Sequence, residues 1–111
     1  MGKGDFLGEF EHLVLLAVVR IEDGAYGLTV RRELEESTGR EVTIGAVYAT
    51  LDRLEGKGLL RSHRTEPESR PGGRSRRQFE ITDAGRAALA ESRALFDRMW
   101  RGVKLFGAGA D

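Results

Sequence analysis

The residues with the clearest chemistry form a run of arginines around a glycine pair. Gly72 and Gly73 lie inside residues 70–77, whose arginines are Arg70, Arg74, Arg76 and Arg77. A guanidinium group donates paired hydrogen bonds to phosphate oxygens, and on a flexible loop it can enter the narrow minor groove of DNA, where the potential is most negative. The run therefore predicts contact with a nucleic-acid backbone. A loop that only keeps the protein in solution is the alternative.

A second group of residues, between 43 and 56, has the composition of a helix that reads the major groove. Hydroxyl groups able to bond phosphate oxygens belong to Thr43, Tyr48 and Thr50. A helix that lies deep in a groove needs small side chains on the face that enters it. The small residues in this segment are Gly45, Ala46 and Ala49. Arg53 is the expected base reader, because a guanidinium can donate two hydrogen bonds to guanine. Close packing on neighbouring helices is the alternative explanation for the small residues.

Net charge alone gives no sign of a nucleic-acid partner, because 18 basic side chains balance 18 acidic ones. Their distribution is uneven. Residues 1–39 carry four basic and eight acidic side chains, a net charge of −4, whereas residues 59–82 carry six arginines and three glutamates, a net charge of +3. A neutral chain can therefore present a local surface that binds anions.

No group of residues in the sequence has the spacing of an enzyme or metal site. The chain contains no cysteine, and its two histidines, His12 and His63, have no partnering motif. We therefore expect a protein that is not an enzyme and that uses no metal and no cofactor. Residues 1–8 have no apolar run of signal-peptide length, and the longest apolar stretch, residues 13–19, is shorter than the roughly 20 residues of a membrane span. The expected location is the cytoplasm, without membrane contact.

The helices that must position these side chains follow from the spacing of apolar residues. Apolar residues recur at helical intervals over residues 10–21, and a narrower stripe over residues 26–34 predicts a second helix that ends at Gly39. Thr43 is the expected N-cap of a third helix, which ends near Gly58. The apolar face of this helix consists of Ile44, Val47, Leu51 and Leu54. The opposite face consists of Gly45, Ala49, Asp52, Arg53 and Gly56.

Two short strand-like runs follow the third helix, over residues 59–65 and 76–82, and the segment between them holds both prolines and the glycine pair. They predict a β-hairpin. Thr82 then caps a last helix over residues 83–106. The predicted fold class is mainly α (α+β), a winged helix-turn-helix with a two-stranded β wing. Its parts are a DNA-binding domain over residues 1–82, a C-terminal helix over 83–106 and a frayed tail over 107–111.

Three blocks of this sequence resemble the PadR family of bacterial transcriptional regulators. They are GAVYATLDRLEGKGL at residues 45–59, GGR at 72–74 and FEITDAG at 79–85. The resemblance implies a homodimer that binds a pseudo-palindromic operator in double-stranded DNA, usually as a repressor. It also implies DNA contacts from Tyr48 and from the start of the third helix, with residues 72–74 at the tip of the wing.

The segment after the wing has room for one helix, which is similar to the compact PadR subfamily, where this helix makes the dimer. An apolar stripe supports the same expectation, and its members are Phe96, Met99, Trp100, Val103 and Phe106. The resemblance further implies a small aromatic effector between the subunits, for which Phe96 and Trp100 are candidate contacts. Packing within the dimer, or against the first helix, is the alternative role of Trp100.

A winged helix can also serve as a protein-interaction module, and this is the alternative function. In that case the basic hairpin would bind an acidic protein instead of phosphate groups. The two functions differ in salt dependence and in sequence preference, because only specific DNA binding requires both phosphate contacts and base contacts.

Overall fold

The computed structural model describes residues 6–65 and 76–107, which form four helices and one two-stranded sheet. The order along the chain is α1 (Glu9–Ile21), α2 (Gly27–Thr38), α3 (Ile44–Gly56), β1 (Leu60–Arg64), β2 (Arg77–Ile81) and α4 (Asp83–Trp100). The mainly α winged helix-turn-helix expected from the sequence is therefore confirmed.

Local signals in the sequence account for the end of α2 and the start of α3. Gly39 ends α2 with a φ of 73°, in the left-handed region that glycine adopts without strain. Thr43 precedes α3, and its Oγ1 accepts a hydrogen bond from the amide of Ala46 over 3.1 Å. This bond satisfies one of the free amides at the start of the helix. The predicted bounds of these helices are correct to within two residues.

Both strands of the wing pack on the helices, β1 on α3 and β2 on α1. Strands β1 and β2 are antiparallel, with Leu60 opposite Ile81 and Arg64 opposite Arg77. The amide of Phe79 also donates a hydrogen bond of 2.9 Å to the carbonyl of Ala25, which lies in the turn between α1 and α2. The Phe79 ring is buried in the core, so the wing is anchored by both its backbone and its side chain.

One apolar core joins the three helices to the base of the wing. Helices α1, α2 and α3 contribute residues of the faces predicted by their spacing, and α1 also contributes Leu15, which its predicted face did not include. The buried residues include Val14, Leu15, Val18, Val30, Leu34, Val47, Leu51, Leu54, Leu60 and Phe79. Fully burying a side chain of this size stabilises the fold by about 1.5–3 kcal/mol. Ile44, at the first turn of α3, is only partly buried.

Helix α4 begins as predicted but ends earlier than predicted. The hydroxyl of Thr82 accepts a hydrogen bond of 3.0 Å from the amide of Gly85, which caps the helix. The helix ends at Trp100, because Arg101 has an extended ψ of 123° and Gly102 a positive φ of 79°. The prediction of one helix over residues 83–106 is therefore wrong beyond Trp100. The prediction failed because the helical spacing of apolar residues continues beyond Gly102. The left-handed conformation of this glycine interrupts the backbone hydrogen bonds of the helix.

Candidate DNA interface

The surface of α3 that faces away from the core is built from small residues and a few charged ones. Its exposed positions are Gly45, Ala46, Tyr48, Ala49, Asp52, Arg53 and Gly56. All five residues predicted for the far face are among them. The outer surface of the helix therefore consists largely of small residues, and it is the face that the spacing of the apolar residues predicted to be exposed.

The two glycines of this surface are not needed for packing within the chain. A Cβ atom placed on Gly45 or on Gly56 would have no atom from another part of the chain within 4 Å. Close packing of α3 on its neighbours is therefore the wrong explanation for these two residues. The space in front of them is open and could accommodate a partner.

Gly27 shows the opposite situation, and it involves the tyrosine of α3. A Cβ atom on Gly27, the first residue of α2, would collide with the ring of Tyr48. The ring thus lies directly over the start of α2, and 41% of the Tyr48 surface remains exposed. The fold places this aromatic side chain at the junction of α2 and α3, beside the open surface of α3.

Arg53 is held by a carboxylate from another helix. Its Nε donates a hydrogen bond of 2.9 Å to Oε2 of Glu11, on α1, and Lys57 Nζ donates another of 2.9 Å to the same oxygen. The Nη2 atom of Arg53 also donates a hydrogen bond of 3.4 Å to the hydroxyl of Thr50. These contacts were not predicted from the sequence. The Arg53 side chain nevertheless keeps half of its surface exposed, so it is only partly committed to the cluster.

Glu11 is charged despite its burial. The residue is 6% exposed, and burial by itself raises the pKa of a carboxyl group. Hydrogen bonds from the backbone amide of Gly8 and from Lys57 and Arg53 outweigh that effect and lower the Glu11 pKa to about 2. The carboxylate therefore stays ionised and links α1 to the C-terminal half of α3.

Thr50 lies on the core side of α3. It is 3% exposed, and its hydroxyl faces the Arg53 side chain. The expectation that Thr50 presents a hydroxyl to a DNA phosphate is therefore wrong. Position 50 directly precedes buried Leu51 and follows buried Val47 by three residues, so the helix turns it inward.

A second ionic cluster joins α3 to the wing. Arg77, the first residue of β2, donates to Oδ1 of Asp52 over 2.6 Å and to Oε1 of Glu55, two acids one turn apart on α3. Ser62 on β1 completes the cluster by donating a hydrogen bond of 2.7 Å to Glu55. The Arg77 guanidinium also stacks over the Phe79 ring, 4.8 Å from its centroid.

The pKa values in this second cluster favour the ionised forms. The hydrogen bond from Ser62, together with the hydrogen bond and the charge of Arg77, lowers the pKa of Glu55, although burial opposes them. Burial lowers the pKa of Arg77, but Asp52 and Glu55 outweigh it and raise the value above the ordinary one. The cluster is thus a charged link between the wing and α3 at neutral pH.

The arginines of the wing are only partly within the described residues. Arg76, just before β2, stacks on the Tyr26 ring with 5.1 Å between its guanidinium carbon and the ring centroid. Arg70 and Arg74 lie outside the described residues. Of the remaining predicted contacts, Thr43 is exposed at the start of α3, and its side-chain oxygen caps the helix.

A separate apolar surface covers the end of α4. Its exposed residues are Phe96, Met99, Trp100, Val103, Leu105 and Phe106, and Met99 is 75% exposed. A groove of about 250 Å³ lies between α4 and the segment before α1, lined by Phe6, Leu7, Ala88, Glu91, Ser92, Leu95, Phe96 and Met99. Exposed large apolar side chains that are grouped in this way are typical of an interaction site.

The described residues show no arrangement typical of a metal-binding or membrane-spanning protein. Within residues 6–65 and 76–107, no group of three or more histidine, aspartate or glutamate side chains is placed to hold a metal ion. None of the helices in these two ranges is long and apolar enough to cross a membrane.

Sequence comparison identifies the family. The profile of the transcriptional regulator PadR-like family matches residues 15–91, a span that includes α2, α3, the wing and the first half of α4. The chain belongs to the PadR family. The family assignment makes the protein a winged-helix transcriptional regulator and not an enzyme, as the sequence predicted, and PadR regulators bind DNA.

Individual relatives agree with this assignment. This PadR protein is 38% identical over 82 residues to the transcriptional regulator Rv3488 of Mycobacterium tuberculosis, and the match covers 74% of this chain and 72% of that protein. A PadR family regulator from Eggerthella lenta is 27% identical with a TM-score of 0.67, covering 85% of this chain and 81% of its own.

Two further solved structures share the fold. RosR from H. salinarum is 28% identical with a TM-score of 0.65, and the alignment covers 93% of this chain and 84% of that chain. A PadR-like transcription factor from Bacteroides fragilis has a TM-score of 0.70 at 24% identity, with 83% of this chain and 84% of its own covered. At that identity the likeness shows the fold alone.

Proposed function

We propose that this PadR regulator is a homodimeric repressor that binds a pseudo-palindromic operator. The observation that carries the proposal is the open surface of α3, where Gly45 and Gly56 face unoccupied space although no packing within the chain requires glycine. A helix with so little bulk on its outer face can approach the floor of the major groove closely. The operator is double-stranded DNA of a bacterial chromosome. Because the chromosome lies in the cytoplasm, the cytoplasm is the proposed location of the protein.

In this proposal the residues of α3 divide their roles by position. Thr43, Gly45 and Ala49 lie at the start and on the open face, where they contact the DNA directly. Tyr48 reaches a phosphate from the junction with α2, because its ring is partly exposed there. Arg53 contributes the exposed part of its side chain.

The wing arginines provide affinity that does not depend on sequence. Arg70, Arg74 and Arg76 follow the sugar-phosphate backbone beside the groove entered by α3, and each neutralised phosphate releases condensed counterions. Support comes from the +3 charge of residues 59–82 in a chain with no net charge, since six arginines there exceed three glutamates. The first 39 residues, with net charge −4, lie mainly in α1 and α2.

Dimerisation is proposed to use the apolar surface at the end of α4. Phe96, Met99, Trp100, Val103 and Phe106 are all exposed in the single chain. A second copy would cover them and place two α3 helices on the two halves of a symmetric site. Residues 83–106 thus remain a dimerisation segment in this proposal, although its last six residues are not helical.

We also propose that a flat aromatic effector relieves repression by binding near Phe96 and Trp100. The apolar groove of about 250 Å³ beside α4 supports this, because Phe96 lines it and Trp100 is 53% exposed close by. Titration with planar cationic dyes should quench the fluorescence of Trp100, the only tryptophan of the chain. Unchanged emission with every dye would contradict the effector role.

Footprinting on the DNA upstream of the native gene tests the central proposal. We expect two protected half-sites one helical turn apart, and binding that weakens steeply with salt because several phosphates are neutralised. Arg74→Ala should lower affinity for every DNA sequence to a similar extent. Equal affinity for the upstream DNA and for a scrambled duplex would favour the alternative, a winged helix whose basic hairpin binds an acidic protein.

A further inference from the structure

The exposed start of α3 offers a DNA base almost nothing but methyl groups. Gly45 has no side chain, and the exposed side chains of Ala46 and Ala49 are single methyls. The polar neighbour Thr50 is buried. The first two turns of this helix therefore lack a long side chain that could donate or accept a hydrogen bond on a base edge, apart from Tyr48, which lies toward α2.

The charged residues farther along α3 already have partners within the chain. Asp52 is paired with Arg77 of the wing, with 2.6 Å between the atoms. Arg53 and Lys57 both contact the Glu11 carboxylate at 2.9 Å. Moving Asp52, or the Nε atom of Arg53, to a base would break an ion pair, whereas contact with the alanine methyls disrupts nothing.

We infer that Ala46 and Ala49 recognise the C5-methyl groups of thymines in the major groove, and this inference rests on the proposed function. The two alanines are three positions apart and lie side by side on the helix surface. The open space at Gly45 allows the backbone to approach closely enough for methyl-methyl contact. The thymine methyl is the one apolar group that distinguishes bases in the major groove, so it matches this apolar patch in kind.

Each such contact has a modest and measurable effect on affinity. Burying one methyl group changes binding by roughly 4-fold, which corresponds to about 0.8 kcal/mol. A homodimer makes the contact in both half-sites, so a symmetric pair of methyl groups accounts for roughly 15-fold.

The test uses the full-length protein and DNA that differs by methyl groups alone. A duplex is first selected from a random 30-base-pair pool and its affinity measured. Thymines are then replaced by deoxyuridine, one symmetric pair at a time, because deoxyuridine lacks the C5-methyl but keeps every hydrogen-bonding group. We expect one or two symmetric pairs whose replacement weakens binding roughly 15-fold.

A variant identifies the residue that makes the contact. With Ala49→Gly, the affinity for the thymine duplex should fall, and one deoxyuridine pair should lose its effect because the matching methyl is gone. Ala90→Gly, at an exposed position of α4, is the matched control, since it removes a methyl from a helix surface outside the proposed interface. It should leave the deoxyuridine effect unchanged.

The possible failures are distinguishable. A selected duplex that binds specifically but shows no deoxyuridine effect at any position overturns the methyl contact and leaves the proposed function intact. A full deoxyuridine effect that persists in both Ala46→Gly and Ala49→Gly overturns the assignment to these alanines. If no duplex is enriched over the starting pool, the proposed function fails and the inference fails with it.

Discussion

Glu11 is a buried carboxylate that Arg53 of α3 and Lys57, the residue just after α3, keep ionised. Arg53 and Lys57 approach the same oxygen, and the amide of Gly8 donates to the other one over 2.9 Å. A buried charge satisfied from several directions is stabilising in its ionised form, but removal of the charge leaves the partners without an acceptor. The role of Glu11 is therefore to hold α3 against α1.

The stability of the protein should decrease in acid because of this residue. The folded pKa is about 2 and the ordinary value is 4.5, so the carboxylate contributes fully above pH 4.5. Below that pH the unfolded chain takes up the proton first, and the contribution of about 3 kcal/mol is lost as pH falls toward 2. Urea unfolding at pH 7 and at pH 3 measures the loss.

Glu11→Gln provides the comparison for this prediction. The variant should be less stable than the native chain at pH 7, and the difference between the two should shrink at pH 3. Glu36→Gln, at an exposed position of α2, is the control and should change stability little at either pH. His12 adds an acid sensitivity common to all three proteins, because burial lowers its pKa from 6.5. An equal loss in all three proteins between pH 7 and 3 would contradict the role of Glu11.

Gly45 and Gly85 should respond to alanine in opposite ways. Gly45→Ala is expected to raise thermal stability by up to about 1 kcal/mol, because alanine favours a helix and the site is open. The same change should weaken DNA binding, since the added methyl occupies the space proposed for the groove floor. Melting temperature and operator affinity, measured on one preparation, test both effects.

Gly85→Ala is the matched change at a closed site. Its Cβ would collide with the carbonyl oxygen of Leu59, which belongs to the backbone and cannot move aside easily. We expect a loss of stability of at least about 1 kcal/mol, typical of overpacking. For the Gly45→Ala variant, an operator affinity equal to that of the native protein would show that the proposed approach of α3 to the groove is wrong.

At the scale of elements, the cluster around Arg77 sets the position of the wing relative to α3. Asp52 and Glu55 contact it from α3, and Ser62 contacts it from β1. The two DNA-contacting elements of the proposal are thereby joined by charged hydrogen bonds, which are stronger and more directional than neutral ones. In the proposed complex, the wing would then reach the DNA backbone at a fixed distance from the groove occupied by α3.

The double variant Asp52→Asn with Glu55→Gln separates positioning from charge. Removing two acids near phosphate would strengthen binding if simple electrostatics dominated. If the cluster positions the wing, affinity should instead fall by about fivefold, since the loss of such a pair costs about 1 kcal/mol. Hydroxyl-radical footprinting should then show weaker protection where the wing lies and unchanged protection where α3 lies.

The control for this variant is Glu80→Gln. Glu80 pairs with Arg61 on the outer side of the wing at 3.0 Å, so the change removes an acid and an ion pair of the wing without touching α3. It should leave the footprint of the wing intact. Tighter binding of the double variant, with an unchanged footprint, would show that the cluster has no positioning role.

At the scale of the whole molecule, the end of α4 is the surface that the single chain leaves uncovered. The exposed large apolar residues of the described ranges are concentrated there, and Phe6 lies across the adjoining groove. A second copy of the chain would bury this surface and supply the second α3 helix for a symmetric DNA site.

Met99→Glu should therefore convert the protein to a monomer. A charge placed in the middle of an apolar interface is left without a partner, and breaking such a contact is strongly unfavourable. Analytical ultracentrifugation measures the mass, and operator affinity should drop by at least tenfold because one half-site is lost. Ala90→Glu adds the same charge at an exposed position elsewhere on α4 and should remain dimeric. A native protein that is monomeric at micromolar concentration would contradict the proposed interface.

Local features of the chain are sufficient to predict most of the fold. The helical spacing of apolar residues determines α1, α2 and α3, because one face of each helix must be buried. Thr43, Thr82 and Gly39 determine helix ends, since capping depends only on neighbouring backbone groups. The sequence also predicts a hairpin rich in arginine and its position after α3. Together with the three helices, this hairpin defines the fold class.

Only the tertiary structure decides which side chains of α3 are available. Glu11 and Arg53 are 42 positions apart, and Arg77 is 25 positions from Asp52, so their pairing depends on how helices and strands pack. Thr50 lies at the edge of the helical stripe, where small rotations of the helix decide between core and surface. Spacing along the chain defines faces, but packing selects the charges that face each other across them. For that reason the candidate reader predicted at Arg53 is, in the folded protein, partly held by Glu11, while the alanines beside it remain open.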